Sequence, residues 1–555
     1  MSSIGIAVPT AQRAASRIAR PAWLHLPRDR WMTATVLMAT VLSVAAFAYA
    51  YQNHLILLYN DAYAHLVIAR RVFDNTTPGL AQLGGVWLPL PHVIMLPFVW
   101  NDALWRSGLA GSFSSMPSYI IAACFIFLSA RRMTHNSRAS FIGALIFMLN
   151  PGMLYMQTTP LTEPVLIATM TAACYFFLAW VQDDESRWLI WAAACTFLAT
   201  LARYDGWFLF VVFLCCIVVI DLQKRRTRKQ LEDHLMLFGG LGGLGIALWF
   251  LWNWMIFHDA LYFQNGPYSS QTQQMEVLHG GALTTYHNIW ESFRHFLFAS
   301  AETVGPVVLA LGIIGLIVVL ARKRLSPEAI GTLPFVAPFV FYVVALFTGQ
   351  AVLFVPGAVP ANASNIFYNA RYGTEIVAPV AFFVAILIGR KVWVQFGFVA
   401  VILLQTMLIA HGGIIALQDG QYGASCAAAR PTVNFLATHY ATGKILEDSY
   451  YKNPQNFALS ANIKLVDIVY QGSGITWANA LSNPAAVVDW VAVHPGDIVS
   501  KNIDFTSATF LSQFTPVAQD RDGTVLYHRN AATLANPSAP AATDTAHVLC
   551  GTNNG

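Results

Sequence analysis

Between residues 31 and 410 the sequence runs apolar again and again, each time for close to the length that crosses a bilayer. The runs fall at roughly 31–52, 112–130, 139–156, 164–181, 188–203, 206–222, 235–256, 304–321, 330–348, 373–389 and 392–410. A helix needs roughly 17–25 apolar residues to span the hydrocarbon core. There every backbone N–H and C=O must find its partner inside the segment, so such runs can only be helices. Charged residues make up 11% of the 555 and hydrophobic ones 56%, with a mean hydropathy of +0.52. Soluble domains carry about 25% charge. The chain therefore reads as an α-helical polytopic membrane protein with about eleven transmembrane helices.

Charge placement gives those helices a direction. Basic residues cluster between the runs: Arg13, Arg17, Arg20, Arg28 and Arg30; Arg131, Arg132 and Arg138; Lys224, Arg225, Arg226, Arg228 and Lys229; Arg322, Lys323 and Arg324; Arg390 and Lys391. With the N-terminus inside, all five groups and Arg187 fall on the cytoplasmic side, as positive loops do. Clusters recurring at helix ends report topology and argue against a nucleic-acid partner. The segment Val86 to Trp105 is apolar but carries Pro89, Pro91 and Pro97, and proline breaks a helix's hydrogen-bond ladder. Counting it as a span would also invert every later loop. It is read as interfacial, within a first outer loop of 53–111. The Arg203-Tyr204-Asp205-Gly206-Trp207 stretch is read as a tight outer turn, because two charges at mid-span would be costly. Ala48 to Ala50 resembles a signal-peptidase site, but the run before it is long enough to be an uncleaved anchor.

The expected organisation is a cytoplasmic tail (1–30), a membrane domain (31–410), an extracytoplasmic α/β domain (412–530) and a loose tail (531–555). Residues 412–555 hold ten Asp and Glu against seven Lys and Arg and have no spanning run. Lys464–Tyr470, Val487–Val493 and Val525–His528 have strand character. Five of the seven cysteines lie in apolar runs as small core residues, and Cys426 and Cys550 could pair in an oxidising compartment. Asn75-Thr76-Thr77 and Asn362-Ala363-Ser364 match the N-glycosylation pattern and fall outside.

Under this topology the polar exceptions gather on the outer face: Asp61, His65, Arg70 and Arg71, then Glu163, Arg203-Tyr204-Asp205, His258-Asp259 with Tyr262, and Arg371-Tyr372. The stretch Tyr59-Asn60-Asp61-Ala62-Tyr63-Ala64-His65-Leu66, continuing to Gly84-Gly85-Val86-Trp87-Leu88-Pro89-Leu90-Pro91-His92, resembles the first outer loop of the GT-C glycosyltransferases. The likeness is strongest to bacterial relatives of protein O-mannosyltransferases and lipid A aminoarabinose transferases. Leu201-Ala202-Arg203-Tyr204-Asp205-Gly206 and Ala370-Arg371-Tyr372 resemble further pieces of that group. The resemblance implies a GT-C-like fold and a glycosyltransferase, hexosyl or pentosyl, fed by a polyprenyl-phosphate sugar. It implies that Asp61 is the central catalytic acid and Glu163 the second. Many relatives carry Asp-Glu where this chain has Asp61-Ala62.

Elementary chemistry agrees with that assignment. Transfer from a polyprenyl phosphate needs a base for the acceptor hydroxyl and fixed positive charge for the departing phosphate. The isoprenoid tail keeps the reacting carbon near the headgroups, so both groups belong just outside span ends. Arginine's planar fork suits phosphate. Arg371, Tyr372, Arg203, Tyr204, Asp205, His65, His258 and Tyr262 are the expected substrate contacts. Other roles remain open: Asp61 and Glu163 as first-turn helix acids, Arg203 and Asp205 as a mutual pair, Arg371 as a snorkelling interfacial residue. No cofactor is firmly indicated, and a divalent ion shared by Asp61 and Glu163 is left open. The expected partners are the lipid donor, a protein, glycan or lipid acceptor, and membrane lipids; the expected location is the plasma (inner) membrane, with the site extracytoplasmic. A secondary transporter or a non-catalytic envelope assembly protein is the alternative function.

Overall fold

The computed structural model describes residues 29–266, 269–279, 283–356, 367–427, 430–449 and 457–536. Residues 1–28, the Cys426–Cys550 pairing, Asn362-Ala363-Ser364 and the tail beyond 536 lie outside the described set.

Helices occupy each of the apolar runs. Among the described residues eight are long and apolar enough to cross a membrane, nine if one bent pair counts as a single span. The chain is an integral, multi-pass membrane protein. The first ten helices are α1 (Arg30–Gln52), α2 (Asn60–Arg71), α3 (Leu90–Val99), α4 (Asp102–Arg106), α5 (Leu109–Thr134), α6 (Ser137–Met148), α7 (Pro151–Met156), α8 (Glu163–Asp183), α9 (Ser186–Ala202) and α10 (Asp205–Gln223). The run 139–156 divides at Asn150-Pro151, because proline lacks an N–H and pushes its predecessor out of the helical region. Asn150 uses the break, its side chain accepting from the Met153 N–H (2.9 Å) to cap α7. The pair Arg228–Gly242 and Leu244–Phe257 bends by 43° at a glycine-rich stretch ending in Gly242-Gly243, a common site for such kinks. Helix α3 has ten residues, about 15 Å of rise, too short to span.

Two helical segments lie deepest in the bundle, α8 and Ala370–Leu387, whereas α1 and Val392–Gly412 stay mostly open to the surroundings. Apolar residues all round suit the central position; exposed Leu37, Val41 and Val44 on α1 suit contact with lipid. Charged loops collect at the two ends. At one end Arg131 pairs with Asp29 (3.2 Å), Arg132 with Asp183 (2.8 Å) and Lys224 with Asp184 (3.4 Å). At the other lie the C-terminus of α1, the start of α8, the α9–α10 turn and the start of Ala370–Leu387.

Beyond the membrane helices stands a five-stranded sheet: β1 (Ile445–Leu446), β2 (Ile468–Val469), β3 (Trp490–Val493), β4 (Phe514–Gln519) and β5 (Val525–Arg529), in the order β2-β1-β3-β5-β4. Strands β2, β1 and β3 run parallel, and β5 returns antiparallel between β3 and β4. Alternate residues face opposite ways. Ile445, Ile468, Trp490, Ala492 and Leu526 share a core with Leu66, Val67, Met95, Val99 and Trp105 of the first loop. Leu446, Val469, Val491 and Val493 pack on the sheet's own helices. The loop 53–111 and the sheet domain are thus fused through one apolar core.

Candidate active site

Helix α2 starts one short loop after α1 and carries Asp61 in its first turn, where a negative side chain is favoured. Asp61 is 37% exposed and accepts a hydrogen bond from Arg371 Nη2. Arg371 comes from the 3-10 turn Ala370–Ile376 that opens a central span. Its Nε donates to Glu163 Oε1 at 3.1 Å. The same oxygen lies 3.2 Å from Arg203 Nη1. Glu163 is 1% exposed. A carboxylate so buried is tolerable only when paired, and here it holds two guanidinium groups.

Arg203 stands in the turn between α9 and α10. Besides Glu163 it donates to the Thr162 hydroxyl (2.8 Å) and the Tyr342 hydroxyl (3.0 Å). Its Nε faces Asp205 (3.6 Å) and Glu375 (3.5 Å). Tyr372 lies against Tyr342, ring centroids 4.9 Å apart, and its face meets both guanidiniums, with Arg371 at 5.2 Å and Arg203 at 5.4 Å. Arg371 also covers the ring of Tyr59 at 4.7 Å. The cluster therefore alternates in sign along one line: Asp61, Arg371, Glu163, Arg203, then Asp205 and Glu375.

His65 sits one turn after Asp61, in the wall beside this line. Its Nδ1 is 2.9 Å from His92 Nε2, and its ring rests against Trp87. Burial drives the His65 pKa down to about 3 and that of His92 well below the usual histidine value, so both imidazoles are neutral at physiological pH.

The structure thus gathers Asp61, Glu163, Arg203, Asp205, Arg371 and Tyr372 in one constellation. Tyr204 points away from it. Its hydroxyl donates to the Val86 carbonyl (2.5 Å), and its ring stacks on Phe263, so it pins the first loop to the α9–α10 turn. Tyr262 stacks on Phe257 at 3.9 Å. His258 is an exposed residue ending a helix with a left-handed backbone, and no contact joins it to the charged line among the described residues. Three groups in the cluster were not foreseen. Glu375 falls within the apolar run 373–389, where an ionisable residue inside a span is itself a functional signal. Tyr342 was hidden in another span. Asp419 falls beyond residue 412, yet its helix Ile415–Ala427 packs on the site, and Tyr59 reaches it at 3.4 Å. Among the described residues no three His, Cys, Asp or Glu side chains are placed to hold a metal ion.

The membrane helices and the sheet domain together have a GT-C-like fold. Residues 106–252 match the family described as dolichyl-phosphate-mannose-protein mannosyltransferase. ArnT from Cupriavidus metallidurans bound to undecaprenyl phosphate superimposes with a TM-score of 0.56 at 14% identity, covering 91% of this chain and 98% of that one. The Archaeoglobus fulgidus oligosaccharyltransferase gives 0.47 at 12% identity over 92% of this chain and 75% of that one. No curated protein matches the sequence.

Proposed function

We propose that the protein is a glycosyltransferase of the extracytoplasmic face of the plasma (inner) membrane, moving a sugar from a polyprenyl-phosphate donor to an acceptor hydroxyl on a protein, glycan or lipid. One observation carries the reading: a partly exposed carboxylate, Asp61, bound to a buried arginine that is itself fixed from behind by Glu163. The mannosyltransferase family match and the ArnT complex with undecaprenyl phosphate support the donor class.

The donor tail lies in the bilayer, which brings its phosphate to the outer span ends. Arg371 binds the phosphate, assisted by Arg203 behind it. Asp61 and the phosphate then compete for one guanidinium, and Asp61 is on the exposed side, where the newcomer arrives. Donor binding frees Asp61 from its ion pair, so the base becomes active only when there is something to attack. The acceptor oxygen forms its bond to the anomeric carbon as Asp61 takes its proton. The carbon–oxygen bond to phosphate breaks with its electron pair leaving on phosphate, and the configuration inverts. Tyr372 faces the sugar, with Asp205 and His65 buried in the wall behind the charged line; Tyr204 and Tyr262 lie against the first loop.

General-base catalysis is worth about 10²–10⁴-fold. Asp61→Asn, expressed at the parental level, is expected to abolish transfer from a polyprenyl-phosphate sugar in purified membranes. Retained activity would remove Asp61 from the chemistry. Mass spectrometry of lipid and protein glycans with and without the gene identifies sugar and acceptor.

A further inference from the structure

The hydroxyl oxygen of Tyr342 has three polar neighbours: Arg203 Nη2 at 3.0 Å, Asp205 Oδ2 at 3.1 Å and Glu375 Oε1 at 2.9 Å. A phenol has one proton to give and two lone pairs to offer. Arginine can only donate, so it takes one lone pair. The phenol's own proton satisfies one carboxylate oxygen. The remaining carboxyl oxygen would then face a lone pair at hydrogen-bond distance, which is repulsive unless that carboxyl brings its own proton. The triangle closes when one of the two acids is protonated.

Glu375 is the better candidate. It is 0% exposed, and its Oε2 meets no hydrogen-bond donor among the described residues. An unpartnered carbonyl oxygen of a neutral acid costs far less there than an unpartnered carboxylate oxygen. Asp205 is the first residue of α10, where the helix N-terminus favours the anion.

We infer that Glu375 is a protonated carboxylic acid and a positioning residue: it donates to Tyr342, which with Asp205 holds Arg203 turned toward Glu163. Arg371 and Glu375 leave the same turn four residues apart, so Arg371, Glu163, Arg203 and Glu375 form a ring closed by backbone. The two arginines and the four carboxyls that touch them would together carry a net charge of −2 with all groups ionised, and carry −1 with this proton in place. The lower charge suits a site that must receive an anion. This consequence rests on the polyprenyl-phosphate reading; the protonation does not.

Infrared spectroscopy of the full chain in nanodiscs, with ¹³C-labelled glutamate, tests it at neutral pH. A carboxylic-acid C=O band that shifts with the label and disappears in Glu375→Gln is expected. Absence of such a band, or its survival in Glu375→Gln, overturns the inference whether or not the protein transfers sugar. Glu375→Ala is expected to lower kcat/KM for the donor about 100-fold, as small displacements of a positioning group do. Glu375→Gln, which keeps a neutral donor, returns it to within about 10-fold of the parent, the worth of one good hydrogen bond. Equal losses in the two variants at equal folded yield would show that a neutral donor is not what the position requires.

Discussion

At the scale of single residues the site is organised by what burial permits. Glu163 is enclosed and doubly paired, whereas Asp61 is half open and singly paired, which is the asymmetry the proposed exchange of Asp61 for a donor phosphate requires. The neighbouring His65 and His92 show the other solution, since a buried group without a countercharge gives up its proton. Their lowered pKa values fix how stability responds to acid. Above pH ~6.5 both states are neutral and nothing changes. Below it the unfolded chain binds protons that the folded one refuses, so stability falls as pH drops toward about 3. Each pH unit in that window removes on the order of 1 kcal/mol through His65, and His92 acts in the same direction. Thermal denaturation in detergent from pH 7 to pH 5 should show the loss, and His65→Asn/His92→Asn should flatten it. An unchanged slope in the double variant would place the acid sensitivity elsewhere.

At the scale of elements, the ends of helices do the placing. Glu163 opens one central helix and Arg371 another, while Arg203 occupies a turn so tight that its glycine is obligatory. A Cβ on Gly206 would sit 2.2 Å from the Ala199 carbonyl oxygen and 2.8 Å from the Thr200 nitrogen, both backbone atoms that cannot rotate aside. Gly206→Ala should cost about 1–3 kcal/mol, as overpacking does, and should lower transfer by moving Arg203. A variant with parental melting temperature and rate would mean the turn is looser than its contacts indicate. These ends were legible in the sequence because apolar length and loop charge are read directly: Asp61, Glu163, Arg203 and Arg371 stood out as charges at outer span ends. Glu375 and Tyr342 were not, since a polar residue within an apolar run has no address until helices are packed. Asp419 was lost for the opposite reason, hidden in a stretch that looks like the start of a separate domain. The two-residue strand Ile445–Leu446 leaves no periodicity to read, whereas Val525–Arg529 does.

At the scale of the whole molecule, helix α2 joins two regions that the sequence presents as separate. Asp61 is in its first turn and Arg71 at its last residue, about 15 Å away along the axis. Arg71 lies over the ring of Tyr470 at 3.5 Å and donates to the Ser449 hydroxyl (2.9 Å), both in the sheet domain. Asn75, just beyond the helix, donates to the Tyr470 hydroxyl (3.2 Å), and that hydroxyl donates to Gln82. Asp74 accepts from the Val466 N–H at 3.0 Å. One end of α2 is therefore held by the sheet domain while the other carries Asp61, the proposed base, into the charged cluster. A stacked arginine contributes about 2 kcal/mol when desolvated, and losing it frees the C-terminal turn of α2 to pivot. Tyr470→Ala is expected to lower sugar transfer about 10-fold or more, because small errors in placing a catalytic group are costly. It should also speed tryptic cleavage between membrane bundle and sheet domain. Tyr470→Phe keeps the ring and loses the hydroxyl bonds, so it should fall between parent and alanine. If Tyr470→Ala loosens the domain to protease yet transfers at the parental rate, α2 is positioned by its packing in the first loop alone, and the sheet domain has no part in holding Asp61 at the membrane surface.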